Sequence, residues 1–288
     1  MYSTVSAPRR SSLAFGLCLL AVVACAAVYV VALGTGFGMR LDAGAIPRGA
    51  SGPNWARAHV ALRHAVDTIH VATIALAAIA AVLVALRRHR RDLAAVALAT
   101  LAGANLTTYL LKPMLGRADP FGGEGSRYIS SAFPSGHATA AMSLALVAVI
   151  VAPRRWRPWV SVAAAGYAAT VGVGLIVRVA HYPSDVVGGF LVAGAWAAGM
   201  SAVALAMRQE GERVSVLPPL ARRARRSLLV AALATVGAAL VVALLLRQPA
   251  AHLHRGLFAA AALTIASLAL LLPVGLTALL SRGRRSPG

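Results

Sequence analysis

Long apolar runs dictate what this chain can become. About 20 apolar residues cross the hydrocarbon core of a bilayer as one helix. Eight stretches reach or approach that length: 13–33, 67–86, 92–111, 137–152, 159–179, 186–207, 227–246 and 257–280. With 59% hydrophobic residues, 12% charged residues and a mean hydropathy of +0.75, the chain is too apolar for a soluble domain. The expected fold class is all-α, a polytopic membrane protein with eight transmembrane helices. Irregular backbone must then gather at helix ends, because lipid offers no partner to an exposed peptide group.

A formal charge of +20 would point to nucleic acid in a soluble protein. Here the basic residues fall in short clusters between apolar runs, so the charge reads as topology, with the bilayer as partner, no nucleic acid, and attraction to anionic lipid as a secondary effect. Placing the amino terminus in the cytoplasm puts Arg9 and Arg10, the clusters at 87–91, 154–157 and 208–226, and Arg282, Arg284 and Arg285 on the inside, 18 of the 28 cations. Both termini are then expected in the cytoplasm of a multi-pass cell-membrane protein.

The first span needs separate treatment. Arg9-Arg10 followed by VVAC at 22–25 has the outline of a secretory or lipoprotein signal, but the apolar run continues to Leu33, which favours a retained anchor. Cys18 and Cys25 lie seven residues apart in that run, too far along one helix to bond. Residues 34–66 fall outside. Arg57, His59, Arg63 and His64 there fit either an interfacial helix beside a lipid entrance or a solvated loop. Asp67 and His70, ionisable groups at the outer end of the second span, are candidates for a polar cavity. His252 and His254, beside Pro249, are expected in an exposed turn.

Three short polar interruptions carry the chemistry: Lys112, FPSGH at 133–137 and HYPSD at 181–185. Parity of the spans puts all three on the outer side, FPSGH opening the fourth span and HYPSD the sixth. A helix start offers unpaired N–H groups and partial positive charge, a ready phosphate cradle. Ser135 is placed to cap, Gly136 lets the backbone approach an anion, and His137 points from the first turn. Pro183 suits a first helical turn, and His181 and Asp185, four apart, allow a carboxylate to orient an imidazole. Lys112 is the sole lysine among 28 Lys and Arg residues, which favours a point-charge role over a generic snorkelling cation. Asn105, Thr107, Thr108 and Tyr109 before it are expected to join helices. Two histidines, one backed by a carboxylate, suit a nucleophile and an acid acting on a phosphoester, with Lys112 and nearby arginines neutralising the equatorial oxygens. That chemistry needs no cofactor or metal, and the paired carboxylates of a magnesium site are missing from the set.

A lysine, Pro-Ser-Gly-His and His-x-x-x-Asp in this order resemble the motifs of the type 2 phosphatidic acid phosphatase superfamily, which also includes vanadium haloperoxidases. The resemblance spans roughly residues 105–190 in motifs and continues to about 207 in architecture. It implies a six-helix core over 1–207, beyond which the sequence itself reads as a basic cytoplasmic linker over 208–226 and two additional helices with a basic tail over 227–288. It implies further that His181 attacks phosphorus to form a phosphohistidine, that Asp185 orients it, and that His137 protonates the leaving group. Lys112, Ser135 and Gly136 would hold the phosphate of a lipid phosphate or pyrophosphate. Two positions depart from the family's pattern. Asp119-Pro120 stands where Arg-Pro is usual, with the arginine at Arg117. Leu175 stands where the third motif has its arginine, and Arg178 is one helical turn further on, about 4.5 Å and 60° away. Arg117 and Arg178 are therefore the candidate replacements. A lipid-phosphate binder or transporter that keeps the fold without the chemistry is the alternative those departures favour. A haloperoxidase ranks last, since such enzymes are soluble.

Overall fold

The computed structural model describes residues 10–47, 53–115, 133–209 and 250–280. Among them are nine helices and no strand: α1 (Arg10–Gly34), α2 (Gly36–Gly44), α3 (Pro53–Asp67), α4 (Val71–Arg87), α5 (Arg91–Leu111), α6 (Gly136–Val151), α7 (Arg157–Val177), α8 (Pro183–Gln209) and α9 (Ala250–Leu280). The architecture is that of a polytopic membrane protein. Five helices, α1, α5, α7, α8 and α9, are long and apolar enough to span, and α3 with α4 makes a sixth if the pair, bent by 61°, is counted as one. The stretch 227–246 and the linker from 210 onward lie outside the described residues.

One open alternative is settled and one expectation changes. Of the helix and the loop offered for the segment before the second span, the structure has the helix: α3 carries Arg57, His59, Arg63 and His64. The fourth span is as short as its apolar run, since α6 has 16 residues, about 24 Å at 1.5 Å per residue. His252 and His254 are not in a turn, because α9 begins at Ala250 and takes them in; His254 Nδ1 lies 3.1 Å from the Gly44 carbonyl of α2.

Lipid tails are as apolar as leucine, so helices here associate through close backbone approach and a few polar contacts rather than by escaping water. α8 sits centrally, against α1, α5, α6 and α9. Gly172 of α7 makes room for Ile265 of α9, and Gly174 for Val66 of α3; a Cβ at either would stand under 3 Å from those side chains. Three of the four polar residues of α5 join helices as expected: Asn105 donates to Ser143, Trp196 donates to Thr107, and Thr108 pairs with Thr139 at 2.9 Å, whereas Tyr109 is 72% exposed. Leucines and valines of α1 such as Leu20 and Val23 face outward, over 60% exposed, as a lipid-facing helix requires.

α6 is enclosed on all sides, with 12 of its 16 residues buried, so the carbonyls at its end cannot reach water. Two arginines satisfy them. Arg88 donates to Val151, and the buried Arg157 donates to Val149, Ile150 and Ala152 and also to Leu280 of α9. Removing a partner from buried carbonyls leaves their desolvation uncompensated. Arg157→Met is expected to destabilise the protein by about 2–4 kcal/mol, read as a lower melting temperature in detergent. The exposed neighbour Arg155→Met should leave the melting temperature unchanged.

Candidate active site

α7 ends in a tight reversal that delivers His181. Val179 adopts φ 56°, the left-handed conformation usually left to glycine. Its N–H bonds Ile176, while the Ala180 N–H bonds the Leu175 carbonyl at 3.0 Å, the paired bonds of a Schellman cap. A β-branched residue there stores about 1–2 kcal/mol of strain. Arg178 lies immediately before this turn and His181 two residues after it, so both side chains leave the same end of α7. Pro183 then opens α8, where its missing N–H costs nothing.

FPSGH is docked onto the first turns of α8. The Ser135 N–H donates to the Asp185 carbonyl at 2.9 Å, tying the starts of α6 and α8 together. Gly188 and Gly189 permit the approach. A Cβ on Gly188 would fall 2.5 Å from the Phe133 ring, and one on Gly189 would fall 2.7 Å from the Ser135 carbonyl. Tyr29 of α1 covers Phe133 from the other side, ring centroids 5.4 Å apart. Ser135 caps α6 through its hydroxyl, which accepts from the Ala138 N–H. The Gly136 and His137 amides then fall in the first turn, where no intrahelical acceptor exists.

The ends of α3, α5 and α7 meet the starts of α6 and α8 here. Between them is a cavity of about 300 Å³, lined by Asp67, His137, Arg178 and His181 with Val66, Ile69, Leu175 and Ala180. The two imidazoles face each other with ring centroids 6.5 Å apart. His181 Nδ1 lies 3.5 Å from Asp185 Oδ2, and that oxygen also accepts the Tyr182 N–H. A carboxylate at Nδ1 favours the tautomer with its proton there, leaving the Nε2 lone pair free. Lys112 stands beside the start of α6: its ammonium is 3.5 Å from where a Cβ on Gly136 would be.

Lys112, Ser135, Gly136, His137, Arg178, His181 and Asp185 are thus brought together at one end of the bundle. Arg117 lies outside the described residues, as do Asp119 and Pro120. The structure adds a qualification to the pair of helix starts. At α8 the Ser184 N–H and hydroxyl both donate to the carboxylate of Asp42, and Asp185 adds a second acid to that first turn. The start of α6 has no acidic residue in its first turn, so its partial positive charge is the one left for an anion. Arg178 is likewise engaged: its Nη1 lies 2.6 Å from Asp67 Oδ1.

Sequence reasoning missed Asp42, Gly188 and Gly189. The chain has eight acidic residues, so one beside a transmembrane run was itself a signal. A pair of glycines one turn beyond Asp185 marks a close helix crossing.

Comparison with curated proteins and with solved structures returned no significant match. Residues 93–209 match the family model described as PAP2 superfamily, a stretch running from the first turn of α5 to the end of α8. It takes in Lys112, FPSGH, HYPSD and the glycine pair, so on that stretch the chain is similar to the PAP2 superfamily.

Proposed function

We propose that the protein is an integral membrane phosphatase acting on a phosphomonoester or pyrophosphate of a lipid, through a phosphohistidine, on the extracytoplasmic side. The family match supports a phosphatase-type activity. The observation that carries the finer reading is the pair of imidazoles 6.5 Å apart across one cavity, with a carboxylate behind only one of them.

That asymmetry assigns the roles. The midpoint between the rings lies about 3.3 Å from each centroid, close enough for a phosphorus there to come within near-attack reach of a ring nitrogen. His181, with the Asp185 carboxylate 3.5 Å from its Nδ1, attacks phosphorus through Nε2. The P–O bond to the lipid breaks, and His137 gives the leaving oxygen a proton. Water then attacks the phosphohistidine, with His137 taking a proton from it, and free phosphate departs. Lys112 and the first-turn amides of α6 neutralise charge on the equatorial oxygens, where preorganised donors contribute most. An opening at the helix ends suits a substrate whose tail stays in the bilayer.

Sidedness follows from the cations. Arg88 and Arg157 seal the far end of α6, about 22 Å from His137 along a helix rising 1.5 Å per residue. Arg87, Arg90, Arg91, Arg154 and Arg155 belong to the same two connections. The positive-inside rule makes that end cytoplasmic and the cavity extracytoplasmic.

Phosphate release by purified protein in detergent, screened over phosphatidic acid, phosphatidylglycerol phosphate and a polyprenyl diphosphate, tests this reading. Turnover of at least one, inhibited by vanadate, is expected. Tight binding of all three with no turnover would instead favour a lipid-phosphate carrier. Within the active preparation, Lys112→Ala is expected to lower kcat/KM by about 10²–10³-fold, as for loss of one preorganised charge donor. Lys112→Arg should recover only part of that, because a planar guanidinium does not replace a compact ammonium 3.5 Å from the Gly136 position.

A further inference from the structure

An acid on the wall of a phosphate cavity needs a reason. Asp67 lies at the end of α3 and lines the same cavity as His137, His181 and Arg178. Its carboxylate is 2.6 Å from Arg178 and 3.6 Å from Arg63, so one negative charge is shared by two guanidinium groups. A phosphate arriving between the histidines meets Arg178 already half neutralised and meets Asp67 as a like charge.

We infer that Asp67 is a headgroup filter: by lowering the positive charge of the cavity, it makes the site accept a terminal lipid monophosphate ahead of a lipid diphosphate. The inference rests on the phosphatase reading above and narrows its substrate class. Around the cavity the described cations are Lys112, Arg178 and, at the rim, Arg63; subtracting Asp67 and the Asp185 carboxylate behind His181 leaves a balance of one positive charge. A phosphomonoester carries about −1.5 to −2 at neutral pH and a diphosphate monoester about one charge more. A single net positive charge leaves the diphosphate further in excess than the monophosphate, next to a carboxylate that repels it.

Farnesyl monophosphate and farnesyl diphosphate share one tail and differ only in headgroup, which makes them the probes. With wild-type protein in detergent, kcat/KM for phosphate release is expected to favour the monophosphate. Asp67→Asn frees both arginines and should raise the diphosphate-to-monophosphate ratio of kcat/KM about tenfold, while Asp67→Glu keeps the charge and the wild-type ratio. An unchanged ratio in Asp67→Asn, with phosphate still released, would overturn the filter and leave the phosphatase standing. The filter is equally overturned if Asp67→Asn weakens both substrates to the same extent at an unchanged melting temperature, since Asp67 would then only position Arg178. No release from either probe, nor from the three lipids of the wider panel, would overturn the phosphatase reading and the filter with it.

Discussion

Replacing His181 with asparagine is expected to lower phosphate release by about 10⁴-fold or more, the scale at which an enzyme loses its nucleophile. The fold should survive. His181 is buried at 5% exposure, its ring nitrogen engages only the Asp185 carboxylate among the described residues, and asparagine is smaller and uncharged. The far-ultraviolet dichroism and the melting temperature in detergent should therefore stay close to wild type while turnover vanishes. Asp185→Asn is expected to follow the same direction with a smaller loss. It keeps the Tyr182 N–H acceptor but no longer stabilises the cationic ring, and a wrong tautomer at such a pair costs up to about 10⁴-fold. Near-normal turnover in His181→Asn would remove the nucleophile from the mechanism.

Gly189→Ala is expected to cost about 10²-fold in kcat/KM although it touches no substrate. The added methyl would stand 2.7 Å from the Ser135 carbonyl and 3.0 Å from both the Ala138 Cβ and the Thr139 nitrogen. Two of those three atoms are backbone, and none can rotate aside. The start of α6 must therefore move away from α8, carrying Gly136 and His137 with it. Displacing a catalytic group by about 1 Å is enough for a loss of that size. Gly166→Ala on α7 is the matched control: a Cβ there meets nothing within 4 Å, and alanine favours a helix by up to about 1 kcal/mol over glycine. Gly166→Ala should leave kcat/KM unchanged. Equal, negligible effects from both substitutions would mean that the α6–α8 crossing does not set the geometry of the site.

Much of this arrangement is legible in residues alone, for physical reasons that also mark where legibility stops. A span has to be apolar over its whole length, so α1, α5, α7, α8 and α9 stand out. Parity of the spans then sends Lys112, FPSGH and HYPSD to one end without any knowledge of packing. α3 escapes that logic because its apolar and basic residues alternate around the helix, and the break falls at the polar Asp67-Thr68-Ile69-His70, just where the apolar run of α4 begins. The cavity wall is also harder to read. Asp67 stands out as an ionisable group at membrane depth, but its two arginine partners come from different helices, with Arg178 111 positions away. Asp42 reaches Ser184 across 142 positions, and no local pattern encodes such a meeting. Arg178 is predicted as a phosphate ligand from its place near HYPSD, and what sequence spacing omits is the acid already bound to it.

The most direct test of the central claim is rapid-quench labelling with a lipid phosphate carrying radioactive phosphorus in its terminal phosphate, using the substrate that turns over fastest. The account predicts a transient label on the protein that is stable to base and lost in acid, as a phosphoramidate should be, and that maps to His181. His181→Asn should show no label. Turnover without any protein-bound phosphorus in the first catalytic cycle, or a label on another residue, would contradict it.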